Sequence, residues 1–300
     1  MRQRLIAAVA LLTLPLMAAE PTWTRAASAH FEVYTTSGEK AATRTLAYFE
    51  DVRSFLDDFL RLPAASRPPT AVVVFDNDAA YAPYRIAPAA AAYFQLARDR
   101  DYIVIGRASD AEPVIIHEYT HLAFERLRVT YPVWLSEGLA DFFSTLQPFA
   151  DRVVLGRPPD RRVGTLASER LMPLPDLLAV THDSPVYGAD HTGLFYAESW
   201  ALTHMLVAGE RYQPRVDQWL ALVAAGTSSE AAWRTVYGRT VDEVAQDLQR
   251  YIRRGFYRQL SAPPTRARAR PVAPPAAVPT FDVDLLLADI VAAGQGRETR

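Results

Sequence analysis

No cysteine occurs anywhere in the 300 residues. That excludes disulfides, a lipid-modified cysteine anchor and all thiol chemistry. Lysine is almost missing too. Of 32 basic residues only Lys40 is lysine, which reads as a bias of composition without functional meaning. Neither sign of charge dominates: 32 basic against 34 acidic residues leave a net charge of −2, so nothing calls for a nucleic-acid partner. Past the first twenty residues no apolar run is long enough to cross a bilayer. What remains is an ordinary globular composition, half of it hydrophobic, sufficient for one large domain or two lobes with a real core. Histidine is scarce, with six, so two of them four residues apart stand out.

The opening segment reads as an export signal. Arg2 and Arg4 form a basic start, Leu5 to Met17 an apolar run, and Ala18-Ala19 a small-residue end. The run is too short to span a bilayer comfortably, so the expectation is cleavage near Ala19 and a periplasmic or secreted protein with no stable membrane span. Residues 1–19 are therefore set aside as a signal peptide.

The chemistry concentrates between Ser109 and Phe143. His117-Glu118-Tyr119-Thr120-His121 places two imidazoles one helical turn apart on one face, a spacing at which both can bind one zinc ion with the intervening glutamate beside the open position. Ser109 and Glu112 have capping-box spacing and Pro113 sits in the first turn. Val114, Ile115, Ile116, Leu122, Phe124 and Leu127 make the helix apolar on nearly every side, so it should be buried. A catalytic zinc site needs a third protein ligand. After Tyr131-Pro132, the run Trp134-Leu135-Ser136-Glu137-Gly138-Leu139-Ala140-Asp141-Phe142-Phe143 has helical periodicity and puts Glu137 sixteen residues past His121. Glu137 is the candidate third ligand. Asp141, one turn on, is placed to accept the outer N–H of a ligating histidine and fix its tautomer.

This His-Glu-x-x-His followed by a Trp-Leu-x-Glu-Gly-x-Ala-Asp helix resembles the gluzincin clan of zinc metallopeptidases, and most of all its compact bacterial peptidase MA-like proteins. The resemblance is strongest from Tyr102 to Phe143. It implies an α+β, zincin-like, two-lobed fold, in which a small mixed sheet packs on the active-site helix and a helical lobe follows. It implies Zn2+ as cofactor, a peptide or protein as substrate, and Glu118 as general base. It also implies that residues 92–95 form a sheet edge alongside which substrate adds as a strand. A tyrosine about sixty residues beyond the third ligand serves the oxyanion in related aminopeptidases. Tyr196 is the match, with Tyr187 and His191 as competitors. The Gly-x-Met-Glu-Asn run of those aminopeptidases is missing, so an activity confined to free N-termini is not expected.

The rest of the chain supplies the frame. His30 to Thr36 alternates as a strand, and Glu39 to Leu62 repeats at helical spacing up to Pro63. Residues 71–75 read as a buried strand, 77–84 as a loop or short helix, and 91–95 with 102–106 as a hairpin. Arg152 to Asp176 reads as a long irregular connection. A helix begins near Phe195, short amphipathic runs cover 212–225 and 229–237, and Thr240 with Glu243 caps a helix expected to reach about Leu260. His30 reads as a surface or satisfied histidine, and His182 and His204 as structural. The expected organisation is a signal peptide over 1–19, a metallopeptidase domain over 20–261 divided at 143/144, a Pro/Ala/Arg linker over 262–280, and a C-terminal helical segment over 281–300. Two rival uses of such a chain are zinc-dependent amide hydrolysis of a cell-wall component and non-catalytic partner binding by an exported protein.

Overall fold

The computed structural model describes residues 22–60, 68–86, 90–97, 99–106, 112–149, 151–188, 193–263 and 271–295. The predicted signal peptide, the Ser109 cap and His191 lie outside the described residues.

The chain is α+β. Strands β1 (Thr24–Ala27), β2 (Phe31–Thr35), β3 (Thr70–Val74), β4 (Ala92–Gln95) and β5 (Tyr102–Ile105) share one mixed sheet. β2, β3 and β5 run parallel, whereas β1 and β4 pair antiparallel on either side of them. β4 is therefore an edge strand, joined to β5 as the predicted hairpin. Alternation sorts the side chains. Val33, Val72, Val74, Ile103 and Ile105 face one core, and Tyr34, Ala71, Val73 and Val104 face another. Both faces are covered, which is why β3 and β5 are apolar at almost every position.

Helix α1 (Glu39–Leu60) lies on the first face with its predicted apolar stripe (Leu46, Phe49, Val52, Phe55 and Leu56) buried. A single turn, α2 (Asp78–Tyr81), is capped by the Asn77 side chain. Helix α3 (Glu112–Leu127) packs beside α1 against β4 and β5. After Pro132 comes α4 (Val133–Phe143). The stretch read as an irregular connection is instead ordered: β6 (Gln147–Pro148) and β7 (Val153–Leu155) begin a small second sheet, and α5 (Asp160–Ser168) and α6 (Leu174–Leu178) follow. The prolines that suggested a loop, Pro159 and Pro173, stand immediately before these helices, where a missing N–H does no harm.

Helix α7 (Leu194–Ala208) is buried along almost its whole length and packs most closely on α4. Gly138 permits that approach. A Cβ there would lie 2.1 Å from Thr203 Oγ1 and 2.4 Å from the Ser199 carbonyl oxygen. Helices α8 (Val216–Ala224) and α9 (Ser229–Tyr237) carry Trp219 and Trp233, stacked at 5.8 Å and both against Trp134 of α4. Helix α10 (Val241–Arg254) starts with the predicted Thr240–Glu243 capping box. It stops before the predicted Leu260 because Gly255 takes a left-handed conformation, φ 61°. Leu260–Ala262 then forms β8, which pairs with β7.

Within the predicted linker, β9 (Ala276–Ala277) adds to the sheet beside Thr24 and Arg25. The last helix, α11 (Thr280–Gln295), seats Leu286 and Ile290 on the second sheet face, where Gln95 Nε2 donates to the Ile290 carbonyl at 3.1 Å. Among the described residues no helix is long and apolar enough to cross a membrane.

Candidate metal centre

The centre is built where α3 crosses α4. Ile116, Tyr119, Leu122 and Ala123 bury one side of α3, and Tyr119 packs on Phe31 and Phe49 beneath the sheet. That anchoring leaves His117, Glu118 and His121 facing a cleft of about 730 Å³. The cleft is walled by β4 on one side and by Arg162, His182 and Tyr187 on the other. Glu137 enters from α4.

His117 Nε2 and His121 Nε2 are 3.2 Å apart, and Glu137 Oε2 lies 3.3 Å from the first and 3.7 Å from the second. These three donor atoms form the metal-competent group found among the described residues. Ligands held 2.0–2.1 Å from a tetrahedral ion sit about 3.3 Å from one another. The spacing and the N, N, O donor set thus suit one tetrahedral metal ion held between His117, His121 and Glu137.

The outer nitrogens are engaged elsewhere, which turns both Nε2 atoms toward the shared centre. His117 Nδ1 is 3.1 Å from Asp141 Oδ1, and His121 Nδ1 is 3.1 Å from Ser136 Oγ. Asp141 is clamped in turn by Arg162, whose Nε donates to Oδ2 at 2.7 Å and whose Nη2 donates to Oδ1 at 3.1 Å. Burial alone would lower the His117 pKa, but hydrogen bonds to Asp141 and Glu137 outweigh it and push the imidazole up to about 10. For Asp141 burial raises the pKa, and its bonds to His117 and Arg162 prevail, holding the carboxyl below its ordinary range. Three buried acids, Glu118, Glu137 and Asp141, face one buried arginine, Arg162. That arrangement leaves negative charge in excess, which a protonated His117 or a bound cation can balance.

Of the two described candidates for the oxyanion donor, the competitor Tyr187 reaches the centre, while the Tyr196 hydroxyl is bonded to Gly188. Tyr196 is fully buried, and its hydroxyl donates to the Gly188 carbonyl at 2.6 Å and accepts from Gly188 N–H at 3.2 Å. It serves to hold the loop, and the loop carries Tyr187 to the centre, where the phenol donates to Glu137 Oε1 at 3.2 Å. Burial and then the Glu137 charge raise the Tyr187 pKa, so it stays a proton donor. His182 lines the same cleft with its ring against Tyr187.

Sequence reasoning missed Arg162, Ser136 and Phe94, whose ring lies over His121 at 6.3 Å. Ser136 was legible, being one residue before Glu137 on the same helix. Arg162 was not, because it belongs to a segment read as a loop. Compared with known proteins, the sequence matches no family model and no curated protein.

Proposed function

We propose that this chain is a zinc-dependent peptidase with a zincin-like, two-lobed architecture, its sheet and zinc helices forming one wall of the cleft and its helical lobe the other. The observation that carries the reading is the convergence of His117, His121 and Glu137 at tetrahedral-edge spacing, with Glu118 in the same cleft. Zinc bound there supplies a Lewis acid and brings the pKa of water down to about 7.

The chain's own residues do the rest. Glu118 accepts the proton of the attacking water and returns it to the leaving amine. Tyr187, turning its single hydroxyl proton from Glu137 Oε1, donates to the oxyanion as it develops, the role first expected of Tyr196. Asp141, fixed by Arg162, keeps the His117 proton on Nδ1 and its Nε2 free for the centre, and Ser136 orients His121 in the same way. The free edge of β4 offers main-chain groups to an extended peptide, which settles against Phe94.

The test is zinc stoichiometry on the purified protein beside peptide hydrolysis. One zinc per chain, lost in His117→Ala, is expected, and Glu118→Gln should retain zinc while turnover falls by about 100-fold or more. Normal turnover in Glu118→Gln removes the general base from the mechanism, and a chain that takes up no supplied zinc removes the reading altogether.

A further inference from the structure

At the far end of α7 from the metal centre lies a second cleft, of about 340 Å³, between the C-terminus of that helix and α10. Arg211, Arg250, Arg254 and Arg258 converge on it, against Glu210 and Asp247. Asp247 is buried and organises the floor. It accepts from the Tyr212 hydroxyl at 2.7 Å and from Arg211 at 3.3 Å, and it pairs with Arg250. Arg254 and Arg258, with the neighbouring Arg253, have no acidic side chain within 4 Å among the described residues. The excess is local. From Leu248 to Phe281 the sequence holds seven arginines and no Asp, Glu or Lys, in a chain whose net charge is −2.

Phe256 lies in the midst of this surface. The left-handed turn at Gly255 throws it outward, 74% exposed, the most exposed of the large hydrophobic side chains described. An aromatic ring projecting from a ring of arginines gains nothing in water. It gains free energy at a lipid interface, where the ring enters the boundary and the guanidinium groups meet phosphates.

We propose that the arginine cleft around Phe256 is a docking surface for an anionic phospholipid bilayer, seating a headgroup phosphate between Arg250, Arg254 and Arg258 while Phe256 enters the interface. The contact is peripheral. A small soluble anion would be better held by an enclosed pocket, whereas these arginines are half-exposed around an open cleft: the Arg211 and Arg250 side chains are 54% and 48% accessible. Met205 and Ala208 line this cleft, and Tyr196 at the other end of α7 holds the Tyr187 loop. Along α7, Tyr196 and Ala208 are about 18 Å apart by helix rise.

Co-sedimentation of the full chain with vesicles tests this. Binding is expected to phosphatidylcholine vesicles containing about 30 mol% phosphatidylglycerol, and not to phosphatidylcholine alone, with affinity falling steeply as salt rises. Arg253→Gln with Arg254→Gln should weaken partition on the order of 30-fold. Phe256→Ser should weaken it about fivefold or more without changing the salt dependence. All three side chains are exposed, so an unchanged circular dichroism spectrum will show that the variants fold. Failure to bind the anionic vesicles, or binding unaltered in both variants, overturns the proposal. Displacement from vesicles by millimolar inorganic phosphate at constant ionic strength also overturns it, since the cleft would then be a site for the free anion.

Discussion

Two histidines in this molecule are buried almost equally and behave in opposite ways. His117 is 6% exposed and His204 is not exposed at all. His117 sits among carboxylates that push its pKa up to about 10. His204 lies between the Gly156 carbonyl at 2.8 Å and the Tyr251 hydroxyl at 2.7 Å, and burial pushes it down to about 4. Burial alone makes a neutral histidine that ties elements together. Burial beside paired acids makes a place that favours positive charge, which a proton on His117 supplies and a metal ion can replace.

Several measurements sharpen or break this contrast. The largest effect is expected of Glu137→Ala, which should lose zinc affinity by orders of magnitude, whereas His204→Ala should keep zinc stoichiometric and destabilise the fold by about 2–4 kcal/mol. Calorimetric zinc titration and denaturant melts separate the two, and loss of zinc in His204→Ala would erase the distinction. Next come Asp141→Asn and Arg162→Met. Each should weaken zinc binding about 10- to 100-fold by loosening His117, and unchanged affinity in both would make the clamp ornamental.

Acidity gives a finer test. The depressed pKa of His204 means that its contribution to stability is complete above its unfolded value near 6.5 and is lost as pH falls toward about 4. The melting temperature of wild type relative to His204→Gln should therefore drop across that window. The smallest effect concerns Glu198, a buried carboxyl in α7 that accepts from Met172 N–H at 2.6 Å. Burial pushes its pKa up to about 7, against the pull of that bond. Its contribution is present below the unfolded value near 4.5 and is lost as pH rises through 7. Glu198→Gln should accordingly melt a few degrees higher than wild type at pH 8 and show little gain at pH 4.

What could be read from the sequence was local. His117, Glu118, His121, Glu137 and Asp141 lie on two helices whose periodicity fixes which side chains share a face, so their grouping was legible before any coordinates. The β4–β5 hairpin, α1 and the Thr240 cap were legible for the same reason. The partners supplied across space were not. Arg162 arrives 21 residues after Asp141 on a helix hidden behind prolines, and nothing in its spacing marks it as the clamp. Tyr187 and Tyr196 could not be ranked by distance along the chain, because a loop decides which hydroxyl turns toward Glu137. The order of the parallel strands rests on crossovers that leave no periodic signal.

The sheet also imposes a timetable on synthesis. Its back face, with Val73, Tyr93, Tyr102 and Val104, is roofed by Leu286 and Ile290, about 190 residues after Tyr102. At ribosomal speeds of roughly 5–20 residues per second that face waits about 10–40 s for its cover. Until then that apolar, β-rich surface lacks the side chains that close it.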